Sequence, residues 1–176
     1  MDAFLIYLIV LRIFHFVGGT CWLGGAIIYH LFLEPTAKAT SPDSRQFMHY
    51  FIVRRHYPIY MTVSSLLTIL SGALLLWHSS SGLDVDWITS GPGVVLTLGS
   101  MLGIIALGMG LFILSPTAKQ LMGLGQAIQA AGGPPLPEQI IELHRLETKM
   151  SQVGWTEFGV MLVSLLTMAV ARYWWF

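Results

Sequence analysis

Arg12, His15, Gly19, Trp22, Ala26 and Tyr29 recur at spacings of 3, 4, 3, 4 and 3, so a helix would carry all of them on one face. Gly18 and Gly25 border that face. A histidine with a glycine one turn away is what a b-type haem requires. The imidazole reaches the iron, and the missing side chain leaves room for a flat macrocycle against the backbone. Arg12, one turn before His15, would neutralise a propionate. On this reading His15 is the axial ligand, Arg12 the propionate partner, and Gly18, Gly19 and Trp22 the pocket wall. The pattern also has a plainer explanation. Small residues let helices pack closely, a lone histidine can bond a carbonyl on a neighbouring helix, and an arginine can extend its head group toward water.

The other histidines sort by level. His30, His49, His56 and His144 fall near one level, with Arg54 and Arg55 beside them for propionates or phosphates, and His78 falls at the opposite one. His30 and His56 together could clasp a second haem or a metal. A second axial ligand for His15 would come from His78, Met101 or Met109; without one, the iron would be five-coordinate and open to a small gas. Glu157 is a carboxylate inside an apolar run. It is suited either to pair with Arg54, Arg55 or Lys149 or to relay protons.

Helices in a bilayer must position these groups. The 176-residue chain is 55% apolar and 10% charged, with mean hydropathy +0.69. An ordinary soluble domain carries roughly 25% charged residues, too many for this chain to be one. Basic and acidic residues cancel at nine each, which removes nucleic acid as a partner. The single cysteine, Cys21, leaves no internal disulfide and no multi-cysteine metal knuckle. A crossing helix needs about 20 mainly apolar residues. Residues 3–33, 57–77, 93–114 and 153–171 meet that need. The first run is too long for a cleavable signal peptide and has no basic residue ahead of it. The expected fold is all-α, an integral membrane four-helix bundle in a single transmembrane domain, with lipid around it.

Seven of the nine Lys and Arg residues lie in the connections 34–56 and 115–152, whereas 78–92 has none and carries Asp84 and Asp86. The positive-inside rule puts both basic connections in the cytoplasm and both termini outside, in a multi-pass protein of the cell's inner membrane. Trp77, Trp87, Trp174 and Trp175 would form an outer aromatic belt. His15 then lies roughly 18 Å below the outer end of its helix, and His78 is too shallow to meet it by roughly 15 Å. Residues 43–56 and 137–152 read as cytoplasmic helical extensions, started by Ser41-Pro42-Asp43 and by the prolines around Pro137; the tract 123–133 reads as a connection.

Pro35-Thr36-Ala37-Lys38 recurs as Pro116-Thr117-Ala118-Lys119, and Ser65-Leu66-Leu67-Thr68 as Ser164-Leu165-Leu166-Thr167. The halves thus read as two copies of a helical hairpin. Gly99 and Gly103 offer a close-packing face, used either within the bundle or in a homodimer.

His15 followed after six residues by Trp22-Leu23-Gly24-Gly25 resembles the first-helix signature of the copper-resistance protein D (CopD) family and of the related HemJ-type protoporphyrinogen oxidases. Arg54-Arg55-His56-Tyr57-Pro58, leading to Ser71-Gly72-Ala73-Leu74-Leu75, is similar to the corresponding HemJ segment. The resemblance implies haem b on His15, in an oxidoreductase. The chain departs from HemJ in having no lysine in its third span, 93–114, and its nine methionines are scattered rather than clustered as copper handling would want. Three readings follow. The first is a haem b redox protein serving a quinol, a porphyrinogen-like partner, a redox partner protein or a small gas. The second is a copper-handling membrane protein, and the third an assembly factor without a cofactor.

Overall fold

The computed structural model describes residues 2–40 and 44–174, with the side chain of Arg45 left aside. No strand occurs among the described residues. Four helices are long and apolar enough to cross a membrane: α1 (Ala3–Ala39), α2 (Tyr57–Ser79), α3 (Gly91–Ala131) and α4 (Pro137–Tyr173). The protein is a multi-pass membrane bundle, and an even number of crossings places both chain ends on the same side. We call the side of Lys38, Arg54, Arg55 and Lys149 the basic end.

Local chemistry sets the helix starts. Ser90 caps α3 by accepting the Gly93 N–H at 3.2 Å, and Pro58, Pro92 and Pro137 occupy first turns, where a missing N–H costs nothing. His56 begins α2 at a positive φ of 53°. Gly132, at φ 65°, ends α3 in the left-handed conformation that glycine tolerates.

Two of the long helices outrun the expected spans. α1 does not stop at residue 33 but runs to Ala39, and α3 runs to Ala131, so most of the tract 123–133 is helix rather than connection. Each passes straight through a proline. An internal proline removes one ladder hydrogen bond and presses on the carbonyl four residues back. Here a single wide turn precedes each one: Tyr29–Leu33 before Pro35 and Gly110–Leu114 before Pro116 are π-helical. Widening the turn moves the carbonyl aside and lets the helix continue. Residues 137–152 are helical, as expected, and continuous with the fourth span. The extension before α2 is seen as a short helix, Ser44–His49, and a further π turn, Tyr50–Arg54. Its expected start, Ser41-Pro42-Asp43, and Trp175 of the aromatic belt lie outside the described residues.

α1 packs chiefly on α2, and α3 chiefly on α4; the two hairpins meet more lightly through α2–α3 and α1–α4. The shift of 81 residues that superimposes Pro35 on Pro116 also carries Gly18 onto Gly99. These two glycines do the same work. A Cβ on Gly18 would lie 2.7 Å from Thr68 Oγ1, and one on Gly99 would lie 2.8 Å from Met168 Cγ, so each is where α1 or α3 meets its own hairpin partner. Matching glycines and matching π turns support the duplicated hairpin. They also settle the use of Gly99 and Gly103: Gly99 faces Met168 and Ser164, and Gly103 faces Ile69 and Ser164, all within one chain, so neither is left to form a homodimer. Ser164 Oγ adds a bond to the Gly99 carbonyl at 2.7 Å. Trp22, Ala26, Ala106 and Met161 form the core where the hairpins join.

Candidate functional site

His15 lies at the seam between α1 and α2. Its Nδ1–H donates to the Thr68 carbonyl at 2.8 Å, and its ring rests on Gly72, where a Cβ would come within 2.7 Å of Cε1. Thr68 sits in a run of hydroxyl residues on the buried face of α2, and its carbonyl also accepts from Ser71 Oγ at 3.2 Å. Ser65, Thr68 and Ser71 bond back to carbonyls of their own helix, Thr68 to that of Ser64, and all four side chains are buried. The His15–Thr68 bond puts a hydrogen on Nδ1, so that in the neutral ring the lone pair is on Nε2, which has no hydrogen-bond partner among the described residues.

Beside His15 an open groove of about 490 Å³ is lined by Arg12, Ile13, His15, Phe16, Val17 and Leu75. Helix geometry explains which neighbours share it. At about 100° per residue, Arg12 and Phe16 lie roughly 60° and 100° to one side of His15, and Gly18 lies roughly 60° to the other. Gly18 is therefore turned into α2. The expected pocket wall needs correction on this point: Gly18 is pressed on Thr68 and Ser64, a Cβ on Gly19 would lie 3.6 Å from Thr68 Cγ2, and Trp22 is buried in the core two turns further on. None of the three lines the groove; Phe16 and Leu75 do. Arg12 is exposed along the groove and makes no ion pair among the described residues.

The second-ligand candidates lie elsewhere. His78 stacks edge-on against Phe4 and Tyr7 at the other end of α2, 3.4 Å from the Tyr7 hydroxyl. Met101 is exposed on α3, which packs on α4 and α2. His56, His49, Arg54 and Arg55 are exposed at the basic end, and His144 is exposed there beside Glu147 at 3.9 Å. No three His, Cys, Asp or Glu side chains gather among the described residues.

His30 is a different case, being only 7% exposed. Its Nδ1–H donates to Glu34 Oε2 at 2.9 Å, and Glu34 Oε1 accepts from Lys38 Nζ at 2.6 Å and from Ser151 Oγ. The ring lies on Gly154 of α4, where a Cβ would be 2.5 Å from Cε1, and among the rings of Tyr29, Trp155 and Phe158. No hydrogen bond or ring contact joins it to exposed His56, and the hydrogen bond His30 makes is to Glu34, within a network that includes Lys38 and Ser151. The spacing of His30, Glu34 and Lys38, four residues each, was the available signal for that network. Ser151 and Gly154, on a distant helix, had none.

Glu157 makes no ion pair with Arg54, Arg55 or Lys149. α4 turns it instead toward α3, where Gly110 leaves the space: a Cβ there would lie 3.1 Å from Glu157 Oε1. No family model matches the chain, and no curated protein or solved structure is similar enough to be a match, so the likeness to CopD and HemJ proteins rests on the two motifs around His15 and Tyr57.

Proposed function

We infer that this is a b-type haem-binding membrane protein with His15 as its axial ligand. The observation that carries the reading is His15 at the edge of an apolar groove with Arg12, its Nδ1–H held by the Thr68 carbonyl. Metal-bound histidines are held in this way, one ring nitrogen donating to a fixed acceptor while the other keeps its lone pair for the metal. The residues around it fit the group. The groove is apolar apart from His15 and Arg12. Gly72 keeps the imidazole against α2, Arg12 on the groove would meet a propionate, and Ile13, Phe16, Val17 and Leu75 offer apolar surface to the macrocycle. Haem bound there would supply one-electron chemistry or a site for a small gas. The groove opens on the lipid-facing flank of α1, which favours a membrane-soluble electron partner of the quinol or porphyrinogen class. By the positive-inside rule the basic end faces the cytoplasm.

An optical spectrum of protein purified from haem-replete membranes tests the reading. A Soret band that disappears in His15→Ala supports it. Stoichiometric copper without that band would support the copper-handling alternative, and a colourless, metal-free protein would leave an assembly role.

A further inference from the structure

The segment that leads into α2 takes no part in the site at His15. Its short helix, Ser44–His49, and its π turn, Tyr50–Arg54, are held in place locally. Ser44 Oγ donates to the Ala37 carbonyl at 2.7 Å, and the Phe51 ring lies 4.7 Å from that of Tyr57. The Arg55 N–H closes the turn on the Tyr50 carbonyl at 3.0 Å. His56 then redirects the chain through a left-handed residue, φ 53° and ψ 36°, which is uncommon where a side chain is present. The result is a fixed corner carrying Arg54, Arg55 and His56 in succession, all exposed.

Two features set this corner apart from the other charges of the basic end. The first is a missing counter-charge. Lys38 has Glu34 at 2.6 Å and Arg145 has Glu142 at 2.7 Å, whereas neither Arg54 nor Arg55 has a carboxylate partner among the described residues. The second is the surface that leads from the corner into the membrane. Ile59, Val63, Leu66 and Leu70 are all exposed, and their spacings of 4, 3 and 4 put them on one face of α2. This strip covers about 16 Å of rise, close to the roughly 15 Å depth of one leaflet of hydrocarbon. Phe47 and Tyr50, also exposed, add aromatic rings of the kind that settle at the boundary between head groups and hydrocarbon.

We propose that Arg54, Arg55 and His56 form a binding site for one anionic phospholipid, its phosphodiester on their side chains and its acyl chains on the strip from Ile59 to Leu70. Arginine suits the head group because a planar guanidinium can hold two phosphate oxygens at once, and the imidazole adds an N–H donor. The site shares no residue with the groove at His15, so its failure and the failure of the haem reading are separate results.

Native mass spectrometry of protein released from micelles with equal phosphatidylglycerol and phosphatidylcholine tests it. Wild-type protein is expected to retain one phosphatidylglycerol in preference to phosphatidylcholine. That preference falls roughly fivefold in Arg54→Gln and again in Arg55→Gln, the worth of one basic residue near an anionic surface, and further in the double variant. Lys119→Gln combined with Lys149→Gln removes as much exposed charge from the molecule and leaves the preference unchanged. An equal loss in that pair means diffuse attraction and overturns the site, as does equal retention of the two lipids by wild-type protein. Inorganic phosphate in large excess leaves the lipid bound; displacement by phosphate alone overturns the lipid assignment.

Discussion

His15 and His30 stand on the same helix, each with its Nδ1 fixed and its ring laid on a glycine of a neighbouring helix, yet the two sites differ in what holds them. His15 is tied to a backbone carbonyl and borders an apolar groove open to the flank of the bundle. His30 is tied to a carboxylate that is itself tied to a lysine and a serine, and aromatic rings close over it. A carbonyl acceptor can orient an imidazole but takes up no proton, so it suits a ligand whose charge should stay constant. A carboxylate acceptor can exchange a proton with the ring, so it suits transfer. The same side chain is thus held by a fixed carbonyl in one setting and by a titratable carboxylate in the other.

The comparison can be broken at each support. The largest effect is expected from Glu34→Ala, which strands His30 and Ser151 without their acceptor. Removing one member of a buried charged network costs about 3 kcal/mol, read as a lower unfolding midpoint in detergent, whereas no side-chain substitution can remove the carbonyl that serves His15. Next come the two glycines. Gly72→Ala and Gly154→Ala each put a Cβ inside contact distance of an imidazole, and overpacking of this kind costs roughly 1–3 kcal/mol. Haem content should separate them. Gly72→Ala turns His15 off its carbonyl and lowers haem occupancy, while Gly154→Ala lowers stability with occupancy intact. The smallest effect is expected from Arg12→Gln. Losing one partly solvated propionate partner weakens haem affinity by about tenfold, roughly 1.4 kcal/mol, measured by competition with apomyoglobin, with the Soret band retained. Equal haem loss in Gly72→Ala and Gly154→Ala would erase the distinction between the two histidines.

Much of this arrangement was legible in the residues. Charge scarcity and four apolar runs point to four helices, and the repeated Pro-Thr-Ala-Lys points to the paired hairpins. What the repeat did not disclose is that its prolines sit inside helices. A proline reads as a stop, and only the wide turns at Tyr29–Leu33 and Gly110–Leu114 convert it into a passage. The stripe from Arg12 to Tyr29 marks a real face of α1, but periodicity identifies a face without naming the helix it meets. That face is divided between partners: His15 and Gly18 meet α2, while Trp22 and Ala26 meet the core shared with α3 and α4. Glu157 shows the same limit. Its depth suited Arg54, Arg55 or Lys149, but the rotation of α4, set by packing on α3, points it at Gly110.

The account turns on His15 being a ligand and His30 not, and haem stoichiometry measures that directly. Wild-type protein, His15→Ala and His30→Ala are purified from the same haem-replete host, and haem per chain is read from the reduced pyridine haemochrome spectrum. The predicted result is stoichiometric haem in the wild type and in His30→Ala and almost none in His15→Ala. Haem retained by His15→Ala, or lost from His30→Ala while the protein remains folded, would contradict it.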